Sequence, residues 1–181
     1  MILTGLEIGR QVAAGTIIID PYDPDNLEPN GYGFHLGEEL ITYDGAVLDC
    51  RSRPPAKPVR IPPEGMLLQP GRLYLGSTFE RIGSRIHAAT LYARRSTSTL
   101  GIWIQVSAPL GHAGAVIPWT LEMVAAHPVI VKPLMKIGKI AFWVPQGEVM
   151  SYAGKYDGSR GVVASRLSAE LDDTPQKGAQ P

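Results

Sequence analysis

One acidic side chain lies where it could move protons. Glu122 is the single charged residue of an apolar segment, residues 117–125, whose sequence is typical of a β-strand. Side chains alternate in an extended strand, so this carboxyl group faces away from Leu121 and Met123. A carboxyl group among apolar neighbours suits general acid–base catalysis near neutral pH. The alternative is a water-facing glutamate on an edge strand, which is the commoner case for a lone Glu, and spacing does not decide between them.

A second candidate is a short segment rich in cationic and hydroxyl side chains. Residues 93–101 read Ala-Arg-Arg-Ser-Thr-Ser-Thr-Leu-Gly, and a short helix is predicted over 95–100. Arg94 contributes a bidentate donor, and the N–H groups of the first helical turn favour an anion. The segment therefore predicts a phosphate-binding site. A solvated helix start with two surface arginines is an equally weighted alternative.

The histidines and the cysteine do not suggest a catalytic metal. Zinc enzymes that deaminate nucleotides need a His-x-Glu and a Cys-x-x-Cys set. Cys50 is the only cysteine, and the four histidines show no ligand spacing. Nothing marks Cys50 as an activated nucleophile either. We therefore expect chemistry without a catalytic cofactor.

The composition favours a soluble protein without a nucleic-acid-binding surface. The chain has 181 residues with 17 basic and 17 acidic side chains, so it lacks the broad basic face that binds nucleic acid non-specifically. No apolar run approaches the ~20 residues that span a bilayer, and the N-terminus does not resemble a signal peptide. A single cysteine suits a reducing compartment. We expect a cytoplasmic protein with no nucleic-acid or membrane partner.

The elements that must position these residues are mostly short strands. Twenty glycines and sixteen prolines separate short apolar runs, which predicts a barrel or jelly roll of roughly ten strands. The predicted strands cover residues 16–19, 33–36, 39–43, 59–61, 66–68, 72–78, 85–91, 102–107, 120–125, 129–132 and 139–144. Residues 51–63 contain five prolines and are expected to form an exposed loop or a sheet edge.

The ends of the chain carry clearer local signals. Thr4 is the predicted N-cap of a first helix, Glu7 completes a capping box, and Gly15 follows the last helical residue. We expect one β domain over residues 1–167. Residues 168–181 are polar and are expected to form a flexible tail.

Several segments, taken in order along the chain, resemble the dCTP deaminase family of the dUTPase superfamily. The stretch from residue 93 resembles the family's Gly-Arg-Ser-Ser phosphate motif, and Thr120-Leu121-Glu122 is similar to the strand that bears its catalytic glutamate. The order and spacing of the motifs make the resemblance fairly specific, and it covers nearly the whole chain. The similar segments are residues 1–21, 31–37, 93–101, 120–122, 136–140 and 161–167.

This resemblance implies a distorted jelly-roll barrel that forms a homotrimer with active sites between subunits. It implies hydrolytic deamination of dCTP to dUTP without a catalytic metal, with Mg²⁺ accompanying the triphosphate. Glu122 would activate a water for attack at C4 of the cytosine and pass its proton to the departing amine. The predicted nucleotide-binding residues, which include some that differ from the family pattern, are Arg94, Arg95, Ser96, Thr97, Ser107, Ala108, His112, Lys155 and Ser159. The backbone near Ser107 and Ala108 would read the base edge.

The chain departs from the family pattern at several site positions. Family members usually carry a second arginine at Thr99, a small serine at Arg95, aspartate at Gly33 and at His112, and glutamine at Ser159. A histidine in place of that second aspartate argues against ordinary dUTPase chemistry, which needs a carboxylate to activate water. Two alternatives therefore stay open. One is a non-catalytic nucleotide-binding or regulatory trimer, and the other is an enzyme for a modified or ribose cytosine nucleotide, in which His112 or Arg95 fills a missing role.

Overall fold

The structure is a computed structural model that describes residues 1–45 and 47–172, and it is mainly β, as the sequence predicts. The helices are α1 Gly5–Ala13, α2 Arg95–Thr99 and α3 Leu167–Asp172, with a 3₁₀ turn at Pro24–Asn26. The strands are β1 Ile17–Asp20, β2 Leu27–Glu28, β3 Gly31–His35, β4 Glu39–Tyr43, β5 Ala56–Arg60, β6 Met66–Leu68, β7 Tyr74–Ser77, β8 Arg81–Ser84, β9 Ala88–Ala93, β10 Ile102–Trp103, β11 Leu110–Gly111, β12 Val116–Ile117, β13 Thr120–Ala125, β14 Val129–Val131 and β15 Lys136–Trp143.

Two five-stranded antiparallel sheets form the body of the fold. Their strand orders are β10-β13-β7-β4-β5 and β11-β9-β15-β3-β2. A three-stranded sheet, β1-β8-β12, and the pair β14-β6 complete the described strands. Buried side chains from both large sheets, including Phe34 and Phe142 from one and Leu121 and Met123 from the other, belong to a single apolar cluster. Burial of this shared apolar surface holds the two sheets together.

Strand β13 carries the candidate acid and shows the expected alternation. Leu121 and Met123 are fully buried, whereas Thr120, Glu122 and Val124 are only half-buried. One face of the strand therefore packs into the core, and the other is left for the site. Strand β7 holds β13 in place through the register that pairs residue 122 with residue 75.

The N-terminal helix follows its predicted signals. The Oγ1 of Thr4 accepts a hydrogen bond from the N–H of Glu7 at 3.4 Å. The Glu7 carboxylate bonds to Arg10 and Gln11 instead of returning to the cap, so only half of the capping box forms. Gly15 has a φ of +75°, the left-handed conformation that glycine adopts without a Cβ clash.

Two predicted strands are shorter or divided in the structure. The predicted strand over 85–91 is interrupted because the Ser84 Oγ accepts the N–H groups of Ile86 and His87, which makes a turn between β8 and β9. The predicted strand over 102–107 stops at Trp103, where the chain turns toward Glu122.

Other predicted elements lie where the sequence places them. The proline-rich segment contains β5, which is an edge strand of its sheet, and the second helix is α2. The tail predicted to be flexible over 168–181 instead starts within a helix, α3 Leu167–Asp172, whose Glu170 contacts Lys155, and residues 173–181 lie outside the described part of the chain. None of the helices in the described residues is long and apolar enough to cross a membrane.

Candidate functional site

A cavity of about 720 Å³ lies against the half-buried face of β13. Its walls come from four stretches of chain: β4, the region around β7, residues 106–124, and residues 152–165. Apolar side chains such as Leu75 and Val124 supply most of the wall. A cavity of this size with a few polar groups is typical of a small-molecule site.

Glu122 is the only carboxylate among the described residues that line this cavity. Its Oε2 accepts hydrogen bonds from the backbone N–H groups of Val106, at 3.0 Å, and Ser107, at 2.9 Å. No hydrogen bond reaches Oε1 from the described part of the chain. One oxygen is thus fixed by two donors, and the other is available to a ligand or a water.

The structure brings six of the predicted site residues to this one cavity. One of them is Glu122, and the other five are predicted nucleotide-binding residues from two parts of the chain. They are Ser107, Ala108, His112, Lys155 and Ser159. The His112 ring stacks on the Tyr152 ring with centroids 5.5 Å apart and an interplanar angle of 14°. Their roles in binding stay predictions, but a single chain suffices to place them together.

The segment from residue 151 to residue 166 forms one wall of the cavity. The N–H of Tyr152 donates to the Ala113 carbonyl at 2.8 Å, and the N–H of Val163 donates to Thr120 Oγ1 at 3.3 Å. Farther along, the N–H of Ser165 donates to the Tyr43 hydroxyl at 3.0 Å. These bonds attach the segment to residue 113, to β13 and to β4.

The two polar residues predicted on this segment are already engaged. Ser159 donates its hydroxyl to the Tyr156 carbonyl at 2.6 Å. Lys155 contacts the Glu170 carboxylate on α3, and this hydrogen bond raises the pKa of the Lys155 ammonium. A phosphate at Lys155 would therefore compete with the carboxylate of Glu170.

The predicted phosphate segment lies outside this cavity. None of Arg94, Arg95, Ser96 or Thr97 is among the residues that line it, although all four belong to the described chain. Thr97 is buried, whereas Arg95 and Ser96 are exposed on α2. Within one chain the predicted site therefore falls into two parts.

Local contacts occupy the phosphate segment. Arg94 Nη1 lies 3.4 Å from Glu28 Oε1, and Lys139 Nζ lies 3.8 Å from the other oxygen of the same carboxylate. The hydroxyl of Thr99 donates to the Arg95 carbonyl at 2.8 Å, inside its own helix. Thr99, where the resemblance predicts a second arginine, thus presents a hydroxyl that is hydrogen-bonded within its own helix.

The sequence did not single out the aromatic residues of the cavity. Tyr43 ends a predicted strand, Tyr152 and Tyr156 lie in a segment with no predicted element, and the three meet only in the folded chain. Trp119, predicted to be a core or interface anchor, packs on the core and also lines the cavity. Its Nε1 donates to the Ile82 carbonyl at 2.8 Å, which fixes the ring.

The described residues include no group of three or more His, Cys, Asp or Glu that could hold a metal ion. Of the four histidines, all of which are described, His112 alone lines the cavity.

Comparison with known proteins identifies relatives over nearly the whole chain. A family model described as dCTP deaminase-like matches residues 2–144. A protein of Cytophaga hutchinsonii named dCTP deaminase, dUMP-forming, is 38% identical over 173 residues, which cover 95% of this chain and 99% of the relative. A protein of Clostridium beijerinckii with the same name is 36% identical over the same coverage. A dCTP deaminase of Rhodopirellula baltica is 37% identical over 172 residues, or 94% of this chain and 86% of the relative.

A solved structure supports the fold. The 2′-deoxycytidine 5′-triphosphate deaminase of Agrobacterium tumefaciens superposes with a TM-score of 0.62 over 80% of this chain and 48% of that chain. The sequence identity is 18%, so this likeness concerns the fold.

Proposed function

Because the chain belongs to the dCTP deaminase-like family, we propose that it is an enzyme that hydrolytically deaminates a cytosine deoxynucleotide, with dCTP as the substrate. The observation that carries the proposal is the placement of Glu122. Its carboxylate lies on the cavity wall with one oxygen held by two backbone N–H groups and the other without a hydrogen bond from the described residues. This arrangement orients a proton carrier toward a bound base.

In the proposed reaction, Glu122 carries one proton from the attacking water to the leaving group. The water oxygen forms a bond to C4 of the cytosine while Glu122 takes one of the water protons. Glu122 then donates this proton to the exocyclic nitrogen, the C4–N bond breaks, and ammonia leaves. The second water proton ends on N3, so cytosine and water become uracil and ammonia.

The backbone beside Glu122 is proposed to read the base. The N–H of Ser107 already donates to the carboxylate, so the remaining groups are the N–H of Ala108 and the neighbouring carbonyls. His112, stacked on Tyr152 at the same cavity, is proposed to contact the nucleotide as well. These groups are suited to the donor and acceptor edge of a pyrimidine.

A second copy of the chain is proposed to supply the phosphate segment. Glu122 and Arg94 do not share a cavity within one chain, and a triphosphate needs several cations, whereas Lys155 is the only lysine or arginine among the described residues that line the cavity. We propose a homotrimer in which Arg94 and Ser96 of one copy, with Arg95 and Thr97 beside them, complete the site of the next. Mg²⁺ is proposed to accompany the triphosphate, and the enzyme is proposed to act in the cytoplasm.

The product is proposed to be dUTP, although the names of several relatives state that they form dUMP. The support for dUTP is that Glu122 is the one carboxylate lining the cavity in the described residues, and His112 occupies the position where the family usually has aspartate. Cleavage of the triphosphate would require a group that activates a second water. A dUMP product would show that such a group exists, at this site or on a neighbouring copy.

The decisive experiment incubates the purified protein with dCTP, dUTP or CTP in the presence of Mg²⁺ and separates the products by chromatography. We expect conversion of dCTP to dUTP, and loss of that conversion in Glu122→Gln. Retained turnover in this variant would remove the assigned mechanism. Turnover of CTP but not dCTP would redirect the proposal to a ribose nucleotide.

Mixing two inactive variants tests the shared site. At a dCTP concentration well below the raised KM of Arg94→Ala, this variant is expected to be weak and Glu122→Gln to be inactive, but subunits exchanged between them can combine an intact acid with an intact arginine. For sites built from two chains, a random one-to-one mixture should restore about a quarter of wild-type turnover. If turnover is not restored after subunit exchange has been verified, the proposal that one copy supplies Glu122 and another supplies Arg94 is contradicted.

A second candidate function is nucleotide binding without catalysis. The observation that favours it is the Thr99 hydroxyl, which bonds within α2 and presents no cation where the family usually has one. This candidate predicts that dCTP raises the melting temperature while remaining chemically unchanged. Product formation under the same conditions would exclude it.

A further inference from the structure

We propose that Gln105 is a positioning residue for the acid of this site. Its side-chain amide holds the backbone segment whose N–H groups orient the Glu122 carboxylate. The consequence for catalysis rests on the proposed function, but the positioning itself is a property of the fold and can be measured separately.

The segment after β10 leaves the sheet at the point where Glu122 needs partners. Strand β10 pairs with β13 through Ile102 opposite Ala125 and Trp103 opposite Val124. If this register continued, residue 107 would lie opposite residue 120. Instead the N–H of Ser107 turns to the Glu122 carboxylate, as does the N–H of residue 106.

This departure leaves a backbone acceptor of β13 without its strand partner. The N–H of Glu122 donates to the Ile104 carbonyl at 2.9 Å, so it points toward the β10 side. Alternate residues of a strand point their N–H and C=O groups to the same side, and therefore the Thr120 carbonyl faces the departed segment. An unpaired carbonyl within a sheet is costly where water does not reach it, and a replacement donor stabilises the strand there.

Gln105 supplies that donor. Its Nε2 donates to the Thr120 carbonyl at 3.3 Å, while its Oε1 is buried and has no hydrogen-bond partner in the described residues. The amide thus replaces the backbone bond that the turned segment gave up. One side-chain hydrogen bond thereby lets the next two backbone N–H groups point at Glu122.

Hydrogen exchange measures the positioning without any activity. In the wild-type protein, the amide protons of Val106 and Ser107 should be protected by the Glu122 carboxylate. Gln105→Met keeps the length of the side chain and removes the donor, and Gln105→Glu replaces the donor with an acceptor facing the Thr120 carbonyl. Both should speed exchange of these two amides by about three- to tenfold, as expected for loss of one hydrogen bond.

The matched control is Gln69→Met at an exposed position outside the cavity lining, and it should leave exchange at Val106 and Ser107 unchanged. Unchanged exchange in both Gln105 variants would overturn the positioning role. Should neither variant fold, the wild-type side-chain amide protons give the answer. Those of Gln105 should exchange more slowly than those of Gln69, and equal rates would overturn the proposal.

Kinetics then test the catalytic consequence. A misplaced acid should lower kcat for Gln105→Met by about tenfold with KM within about twofold, because the base and phosphate contacts remain. If the wild-type protein turns over dCTP and Gln105→Met has the same kcat, the catalytic consequence is overturned. If the wild-type protein shows no turnover, the proposed function fails, whereas faster exchange in the variants would still support the positioning role.

Discussion

The wall that carries Glu122 and the helix that carries the predicted phosphate ligands differ in how they are held. Glu122 lies on a central strand between β10 and β7, and its carboxylate is oriented by backbone N–H groups. Helix α2 has five residues, most of its side chains are exposed, and two of its hydroxyls, those of Ser98 and Thr99, donate to the Arg95 carbonyl of the same helix. The first region is oriented by contacts between distant parts of one chain, whereas the second is held by contacts within its own helix and presents most of its side chains to the surface.

The largest expected effect comes from removing the acid while keeping its shape. Glu122→Gln retains an oxygen that can accept from Val106 and Ser107, so the melting temperature should stay within about 2 °C. Turnover of dCTP should fall about a thousandfold, the range typical of a lost general acid–base group. Product chromatography and a thermal melt measure the two quantities. A large drop in melting temperature would instead assign the residue a structural role.

The next effect should appear in binding. Arg94→Ala removes the guanidinium that faces Glu28, and we expect KM for dCTP to rise about ten- to a hundredfold with kcat within about threefold, because charged hydrogen bonds to phosphate contribute to binding. Steady-state kinetics separates the two parameters. The control is Arg53→Ala in the exposed loop before β5, which should match wild type. An unchanged KM would leave α2 outside the site.

A smaller difference is expected in how substitutions in the two regions change the free energy of unfolding. A Cβ at Gly111 would lie 2.5 Å from the Trp119 ring, so Gly111→Ala should lower the free energy of unfolding by about 1–3 kcal/mol. Ser98→Ala on exposed α2 should change it by about 0.5 kcal/mol or less. Urea unfolding of both variants makes the comparison. Equal effects would contradict the contrast between a packed wall and a solvated helix.

The smallest effect should come from the Thr99 hydroxyl. Thr99→Val keeps the shape and removes a group that already bonds to the Arg95 carbonyl, so turnover and KM should stay within about twofold. The same assay measures both. A tenfold loss would show that the hydroxyl contacts the nucleotide in the assembled site.

Some of this site could be predicted from the sequence because its signals are local. The alternation of β13 identified the face that carries Glu122, and the cluster from Arg94 onward identified a short helix, found at Arg95–Thr99. The family resemblance added five of the other residues that line the cavity. The partners of the carboxylate were not predictable, because they lie fifteen and sixteen residues away on a segment expected to be a strand.

The sequence by itself determined the properties that neighbouring residues set. These are the capped first helix, the positions of most strands and the alternating burial of β13, together with the membership of the family. What only the tertiary structure decided are contacts between residues far apart in the chain. Examples are the Tyr43 hydroxyl bonded to residue 165, the Gln105 amide on the Thr120 carbonyl, and the separation of Arg94 from the cavity. The physical reason is that helix capping and the alternation of side chains along a strand depend on residues a few positions apart. Contacts between residues far apart in the chain form only when distant strands pack into one core.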